Sequence, residues 1–255
     1  MIMPDLRVLV ITGAGISAES GIPTFRGKNG YWRNLDPAKL ATPEAFEGNP
    51  SLVWEWYRER RRIIRAAHPN PAHEAITKLA QTCSDFLLVT QNVDNLHSRA
   101  QHGAATIPLE KIVQIHGDIF LTRCSRCDWH YYEAEQDGSE LPLCRHCGTM
   151  MRPGVVWFGE SLDPLQIARV ETYLETRGCD VVFVIGTTAL FGYIIDWSLR
   201  GAEGGGQLIE INPDSTSLSR FATRLVREPA GIALPDLVDE ICKGVCSPGN
   251  CRPSL

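Results

Sequence analysis

Four short runs rich in β-branched residues constrain this chain more than anything else in it. Residues 6–12 (LRVLVIT), 84–90 (SDFLLVT), 180–186 (DVVFVIG) and 207–212 (QLIEIN) are nearly unbroken apolar stretches with a polar residue or glycine at the end. Such runs lack the alternation of a half-buried strand, so they read as strands of a parallel sheet covered on both faces. Helix start signals lie between them. Asn49-Pro50 opens one helix, Asn70-Pro71 opens another through Leu79, and Leu234-Pro235 opens the last, up to Lys243. The expected fold class is α/β, a Rossmann-like parallel sheet. Two stretches break the alternation, 27–68 and 118–152, and both read as insertions that together form a smaller domain. The large domain is then 1–26, 69–117 and 153–245, with 246–255 as a tail.

Composition narrows the function. Lys and Arg total 25 against 30 Asp and Glu, a net charge of −5, which argues against nucleic acid or an anionic membrane as partner. No apolar run approaches the ~18 residues of a membrane span. The N-terminus carries Asp5 where a signal peptide would be basic, and its apolar run stops at Gly13-Ala14-Gly15, so a cytoplasmic protein is expected. Four of the nine cysteines form Cys124-x2-Cys127-x16-Cys144-x2-Cys147. Two close pairs at this spacing suit tetrahedral Zn²⁺, and four protein ligands leave no open position, so one structural zinc per chain is expected. Two disulfides are the alternative. Cys83, Cys179 and Cys242 read as buried small hydrophobes, and Cys246 and Cys251 as tail residues.

Four constellations carry chemistry. Gly13-Ala14-Gly15-Ile16-Ser17-Ala18 directly follows the first run and fits a glycine turn that lets backbone approach a pyrophosphate at a helix N-terminus. Two glycines in a strand-to-helix turn also occur for packing alone. The acidic residue of a hydride-transfer fold, about 20 residues on, is missing, and Gly21-Ile22-Pro23-Thr24-Phe25-Arg26-Gly27 follows instead. A nucleotide site is expected and a dehydrogenase is not. Thr90-Gln91-Asn92-Val93-Asp94-Asn95-Leu96-His97 sits at a strand's C-terminal end, where its amides and carboxylate suit a ribose or a carboxamide. His116, in Val113-Gln114-Ile115-His116-Gly117, stands between the nucleotide fold and the cysteine module, as a base or as a structural histidine. Gly186-Thr187-Thr188 and Asn212 close the last two runs.

Gly13-Ala14-Gly15-Ile16-Ser17 with Phe25-Arg26, Thr90-Gln91-Asn92-Val93-Asp94, His116-Gly117, the four cysteines, Phe158-Gly159-Glu160, Gly186-Thr187-Thr188 and Ile211-Asn212 resemble the sirtuins. The match runs in order from about Arg7 to Val238. The resemblance implies an NAD-dependent protein lysine deacylase, with NAD as co-substrate and an acyl-lysine protein or peptide as partner of a monomer. It implies that NAD lies along Gly13, Ala14, Gly15, Ser17, Ala18 and Thr24. Phe25 covers the reacting sugar, Arg26 contacts the phosphates and Gln91 lies near the ribose. Asn92 and Asp94 are catalytic at the nicotinamide end, and Gly186, Thr187, Thr188, Asn212 and Ala230 line the adenosine side. His116 matches the family's general base, which acts through the ribose hydroxyls to give 2′-O-acyl-ADP-ribose, nicotinamide and free lysine. An imidazole with pKa near ~6.5 suits that task. Residues 155–160 match an edge segment to which an extended peptide adds as a strand. Val155, Val156, Phe158, Gly159 and Glu160, with Ile115, would wall the lysine tunnel, although the run alone reads as a core strand.

Tyr57 and Arg60 are three apart on a predicted helix and share a face, so a phenol and a guanidinium can hold a carboxylate. The alternative is a solvated basic face with Arg58, Arg61, Arg62 and Arg65. Tyr57-x-x-Arg60, preceded by Ala41-Thr42-Pro43, resembles the class III branch, which removes succinyl and other acidic acyl groups. Ala41 matches the small residue that leaves room for the longer chain. Asn95 stands where glycine is common, and asparagine tolerates the left-handed region. Gly192 stands where many relatives have proline, in the other side of the peptide clamp. An NAD glycohydrolase or ADP-ribosyltransferase, or a non-catalytic zinc module, are the competing readings.

Overall fold

The computed structural model describes residues 3–24, 36–132 and 140–243. The elements run β1 (Met3–Thr12), α1 (Gly15–Ala18), α2 (Pro37–Leu40), α3 (Pro43–Gly48), α4 (Pro50–Ala66), α5 (Pro71–Thr82), β2 (Cys83–Thr90), α6 (Leu96–Arg99), β3 (Ile112–Gln114) and β4 (Gly117–Cys124). They continue with β5 (His130–Tyr132), β6 (Met151–Val155), α7 (Pro164–Thr176), β7 (Val181–Ile185), α8 (Gly192–Gly201), β8 (Gln207–Ile211), β9 (Arg224–Val226) and α9 (Ala230–Cys242). All four apolar runs are strands of one parallel sheet, ordered β3-β2-β1-β7-β8-β9. Side chains alternate across it. Val8 and Val10 face α5 and α9, while Leu9 and Ile11 face α7 and α8. The chain leaves β1 toward β2 and β3, then returns to lay β7 on the other side of β1. That reversal makes the β1–β7 crevice the place where such a sheet holds a ligand.

The helix starts follow their chemistry. Asn49 and Asn70 cap α4 and α5 with their side chains, each followed by proline at the first helical position. The last helix departs from expectation: it starts at Ala230, and Pro235 lies inside it. An interior proline costs about 3 kcal/mol. Leu234, Leu237, Val238 and Ile241 are buried on the sheet, and each contributes about 1.5–3 kcal/mol, so burial outweighs the missing backbone bond. Helix α1 is a single turn, shorter than the glycine-turn motif suggests.

The insertions form a second unit. Strands β5-β4-β6 make a small antiparallel sheet, and α4 packs on it. Arg61, read as part of a solvated basic face, is fully buried and donates to the carbonyls of Ile119 (2.6 Å) and Leu121 (3.2 Å) and to Thr122 Oγ1 (3.0 Å). It therefore fastens α4 to β4. Cys83 and Cys179 are buried as expected, whereas Cys242 is half-buried, and Cys246 and Cys251 lie outside the described residues. Among the described residues no helix is long and apolar enough to cross a membrane.

Gly192 occupies the first position of α8, behind an extended Phe191 (φ −82°, ψ 126°), and a Cβ there meets nothing within 4 Å. Both conditions suit proline. Gly192→Pro should therefore stabilise the fold by about 0.4–1 kcal/mol, read as a rise in the urea midpoint with unchanged slope.

Candidate functional site: a cleft at the strand ends

The loops after β1 and β7 meet at the switch point. Gly13 N donates to Ile185 O (2.9 Å) and Gly15 N to Gly186 O (2.8 Å). A Cβ on Gly15 would lie 2.7 Å from Gly186 Cα, and one on Gly186 would lie 2.5 Å from Ile16 N, in a backbone with φ +60°. The glycines are thus required first for loop-on-loop contact. The result is a shallow cradle from Ala14 to Ala18 beside Gly186 and Thr187. Ala18 and Thr188 are exposed at its rim, and Thr24 is half-buried at the edge of the described chain. Phe25 and Arg26 fall outside the described residues.

The β2 end enters this cradle from the side. Gln91 Nε2 donates to Thr12 O (3.1 Å) and Thr187 Oγ1 (3.0 Å). Asn92 is buried and donates from Nδ2 to Gly13 O and Ser17 Oγ, both at 3.1 Å. Asp94 is buried too, and its carboxylate accepts from Leu96 N at 3.1 Å. Burial raises the Asp94 pKa, while Ser17, Leu96 N–H and the Arg60 charge pull it down. Asn95 has φ +50°, the left-handed conformation expected for it. Farther along the cradle, Asn212 Nδ2 donates to Thr187 O (2.9 Å), and Ala230 is buried at the start of α9.

His116 lies just beyond Gln91. Its Nδ1 is 3.0 Å from Gln91 O, and its Nε2 is 2.7 Å from Tyr193 Oη. Burial pushes its pKa down, and the Gln91 carbonyl pulls it up. The imidazole is therefore neutral at pH 7. A cavity of about 460 Å³ runs from Asn92 and Asp94 past Ile115 and Asp118 to Val155 and Val156, between the two sheets.

The segment after β6 departs from the sequence reading. Strand β6 ends at Val155, so Val156, Phe158, Gly159 and Glu160 are not in a strand. Val156 N donates to His116 O and Phe158 N to Ala41 O, both at 2.9 Å, which holds the segment across the cleft mouth. Ile115 and Val155 are buried, whereas Phe158 is exposed. Glu160 does not face the cleft freely. Arg152 grips its carboxylate at 2.5 and 2.8 Å, and the Trp157 N–H donates to it at 2.8 Å. Its pKa falls below the usual carboxylate value: burial opposes this, and the Arg152 and Trp157 hydrogen bonds prevail.

Tyr57 is buried, and its oxygen accepts from Trp157 Nε1 at 2.9 Å. Arg60 is partly buried; burial pushes its pKa down, with Tyr57 and Asp94 opposing. Neither lies on a fully solvated face. Ala41 is buried at the end of α2. Sequence reasoning missed Tyr193, Trp157 and Arg152, because each acts through a contact that sequence proximity does not reveal.

The four cysteine sulfurs lie within 4.8 Å of one another, with Cys124–Cys147, Cys127–Cys144 and Cys127–Cys147 at 3.4, 3.6 and 3.7 Å. A tetrahedral ZnS₄ centre with ~2.3 Å bonds has edges of about 3.8 Å, so the cluster fits the ion. Arg126 N and Cys127 N point at Cys124 Sγ, and His146 N at Cys144 Sγ, at 3.3–3.4 Å. Such N–H groups stabilise thiolates. All four positions are protein ligands, so the zinc is structural and these cysteines would hold it.

Fold and cleft together define a nucleotide-binding α/β protein with a zinc-ribbon insertion. The chain belongs to the Sir2 family, whose profile matches residues 13–191. A protein of Aquifex aeolicus named NAD-dependent protein deacylase is 42% identical over 238 residues, covering 93% of this chain and 96% of that protein. One of Archaeoglobus fulgidus, NAD-dependent protein deacylase 1, is 40% identical over 93% of this chain and 94% of its own length. Among solved structures, a Sir2 homologue bound to 2′-O-acetyl ADP ribose superposes with a TM-score of 0.84 at 39% identity, covering 96% of this chain and 95% of the other. A Sir2 homologue–NAD complex gives 0.83 at 39% identity, over 94% and 91%.

Chelation or Cys144→Ser should release about one zinc per chain and strip hydrogen-exchange protection from β4–β6 while the parallel sheet keeps its own. Global unfolding in the same step would show that the metal supports the whole chain.

Proposed function

We propose that this chain is an NAD-dependent protein lysine deacylase that accepts acidic acyl groups, succinyl and malonyl, beside acetyl. NAD and acyl-lysine with water would give nicotinamide, free lysine and O-acyl-ADP-ribose. The observation that carries the reading is the packing at the β2 end: Asn92 binds Gly13 O and Ser17 Oγ of the glycine loop, the Gln91 carbonyl holds His116, and Asn92 and Asp94 line the adjoining cavity. NAD supplies an electrophilic sugar carbon when bound. Asn92 and Asp94 orient the carboxamide end, and Gly13, Ala14, Gly15, Ser17, Ala18, Thr24, Gln91, Gly186, Thr187, Thr188, Asn212 and Ala230 bind the rest, with Phe25 and Arg26 as the sequence suggests. His116 takes a proton at Nε2 once the Nδ1 proton is committed to Gln91 O. The backbone of Val156 and Phe158 holds the mouth where an extended peptide would lie.

The acyl preference is supported by the Tyr57 and Arg60 geometry. Tyr57 Oη already accepts from Trp157, so its own proton remains to donate to an acyl carboxylate, and Arg60 brings the charge. The proposal includes the boundaries 26/27, 68/69, 117/118 and 152/153, and a monomeric cytoplasmic enzyme. A mass-spectrometric time course with NAD and one peptide, acetylated or succinylated at the same lysine, tests it. Removal of both acyl groups with matching O-acyl-ADP-ribose is expected. Nicotinamide release without acyl loss would make the chain a glycohydrolase instead.

His116→Ala should lower kcat by at least 10²-fold with NAD binding retained. Arg60→Met should lower the succinyl-to-acetyl ratio of kcat/KM by 10-fold or more. Equal loss on both peptides would show Arg60 to be structural.

A further inference from the structure

The contact on His116 Nε2 comes from an element the proposed chemistry does not use. Gln91 O can only accept, so the 3.0 Å contact puts the ring proton on Nδ1 and leaves Nε2 as a lone pair. The 2.7 Å contact from Tyr193 Oη is then a phenol donating to that lone pair. Burial raises the Tyr193 pKa, so the phenol stays protonated and remains a donor.

Tyr193 is held firmly. Its ring stacks on Phe191, with centroids 5.4 Å apart at 11°, and meets Trp197 at 5.1 Å. Trp197 Nε1 in turn donates to Glu171 at 2.7 Å, and Arg200 pairs with the same carboxylate. The groups facing His116 are the Gln91 carbonyl from the β2 end, the Phe191 ring and the Tyr193 phenol from the α8 start, while Val156 N–H binds its carbonyl. The nearby Asp118 carboxylate is occupied by Phe120 N–H at 2.8 Å and Gln114 at 3.4 Å. Among the described residues no charged side chain shifts the imidazole; burial and the Gln91 carbonyl do.

We propose that Tyr193 is a positioning residue for His116: its phenol fixes the Nδ1–H tautomer and keeps Nε2 unprotonated to lower pH than the ring alone would. A hydrogen bond to the neutral form disfavours protonation. The phenol also occupies Nε2 as a sugar hydroxyl would, so one O–H donor replaces another when substrate arrives. The catalytic consequence rests on His116 being the base; the contact itself does not.

The test is a histidine C2–H titration by NMR on the zinc-loaded full chain, with the His116 resonance assigned by its loss in His116→Ala. Tyr193→Phe keeps the stacked ring and removes only the hydroxyl. The His116 pKa should rise by about half to one unit, as expected for loss of one ordinary hydrogen bond. The acid limb of kcat/KM should move up equally. Phe191→Leu, which loosens the same aromatic stack but keeps the phenol, should move the pKa less. An unchanged pKa in Tyr193→Phe, or an equal shift in Phe191→Leu, would overturn the proposal. A shifted imidazole with an unmoved acid limb would uphold the positioning contact and remove His116 as the base.

Discussion

The close approach of the β1 and β7 loops is the contact on which the site depends. With no side chain on Gly13, Gly15 or Gly186, the two backbones touch and exchange hydrogen bonds. That contact turns Gly13 O and Ser17 Oγ toward Asn92 and brings Thr187 within reach of Gln91. Gln91 then offers its carbonyl to His116. Four strand ends are tied into one cluster before any ligand arrives, which is how a catalytic geometry is pre-organised on rigid elements. The polypeptide also carries strain here: Ala189, buried two residues beyond Thr187, has φ +49°, costly for a residue with a Cβ. Thr187 Oγ1 accepts from its N–H at 3.2 Å and helps to hold it.

Much of this was legible in the chain. The unbroken apolar runs specified a parallel sheet because only strands covered on both faces read that way. Asn49-Pro50 and Asn70-Pro71 located two helix starts because capping is a local property. Cys124, Cys127, Cys144 and Cys147 announced their cluster through spacing, since each knuckle is a short local turn. Asn95 entered the left-handed region that its chemistry allows.

What sequence could not convey was long-range. Arg61 and Arg62 are neighbours in the chain, yet one is sealed against β4 and the other is exposed on Glu59. Helical phase separates them, and the partner sheet comes 60 residues later. Pro235 looked like a helix start because proline favours the first turn, and tertiary burial overrode that preference. The β6 run looked like a strand throughout, but Gly159 at φ +87° and the grip of Arg152 on Glu160 turn it away from the sheet. The Tyr193 contact bridges 77 positions.

The column Glu160–Arg152–Trp157–Tyr57 joins the segment after β6 to helix α4. Arg152 lies 3.4 Å from the Trp157 ring centroid while holding Glu160, and Trp157 reaches Tyr57 through its indole N–H. Phe158, beside Trp157, is bonded to Ala41. Under the proposed function, the mouth that would read the polypeptide and the floor that would read the acyl chain share one wall. Under that proposal the two selections are coupled: a replacement that altered which modification is removed would also disturb the residues that select which proteins it is removed from. Compensation for such a change would then be sought at Arg152 and Trp157, which join Glu160 to Tyr57.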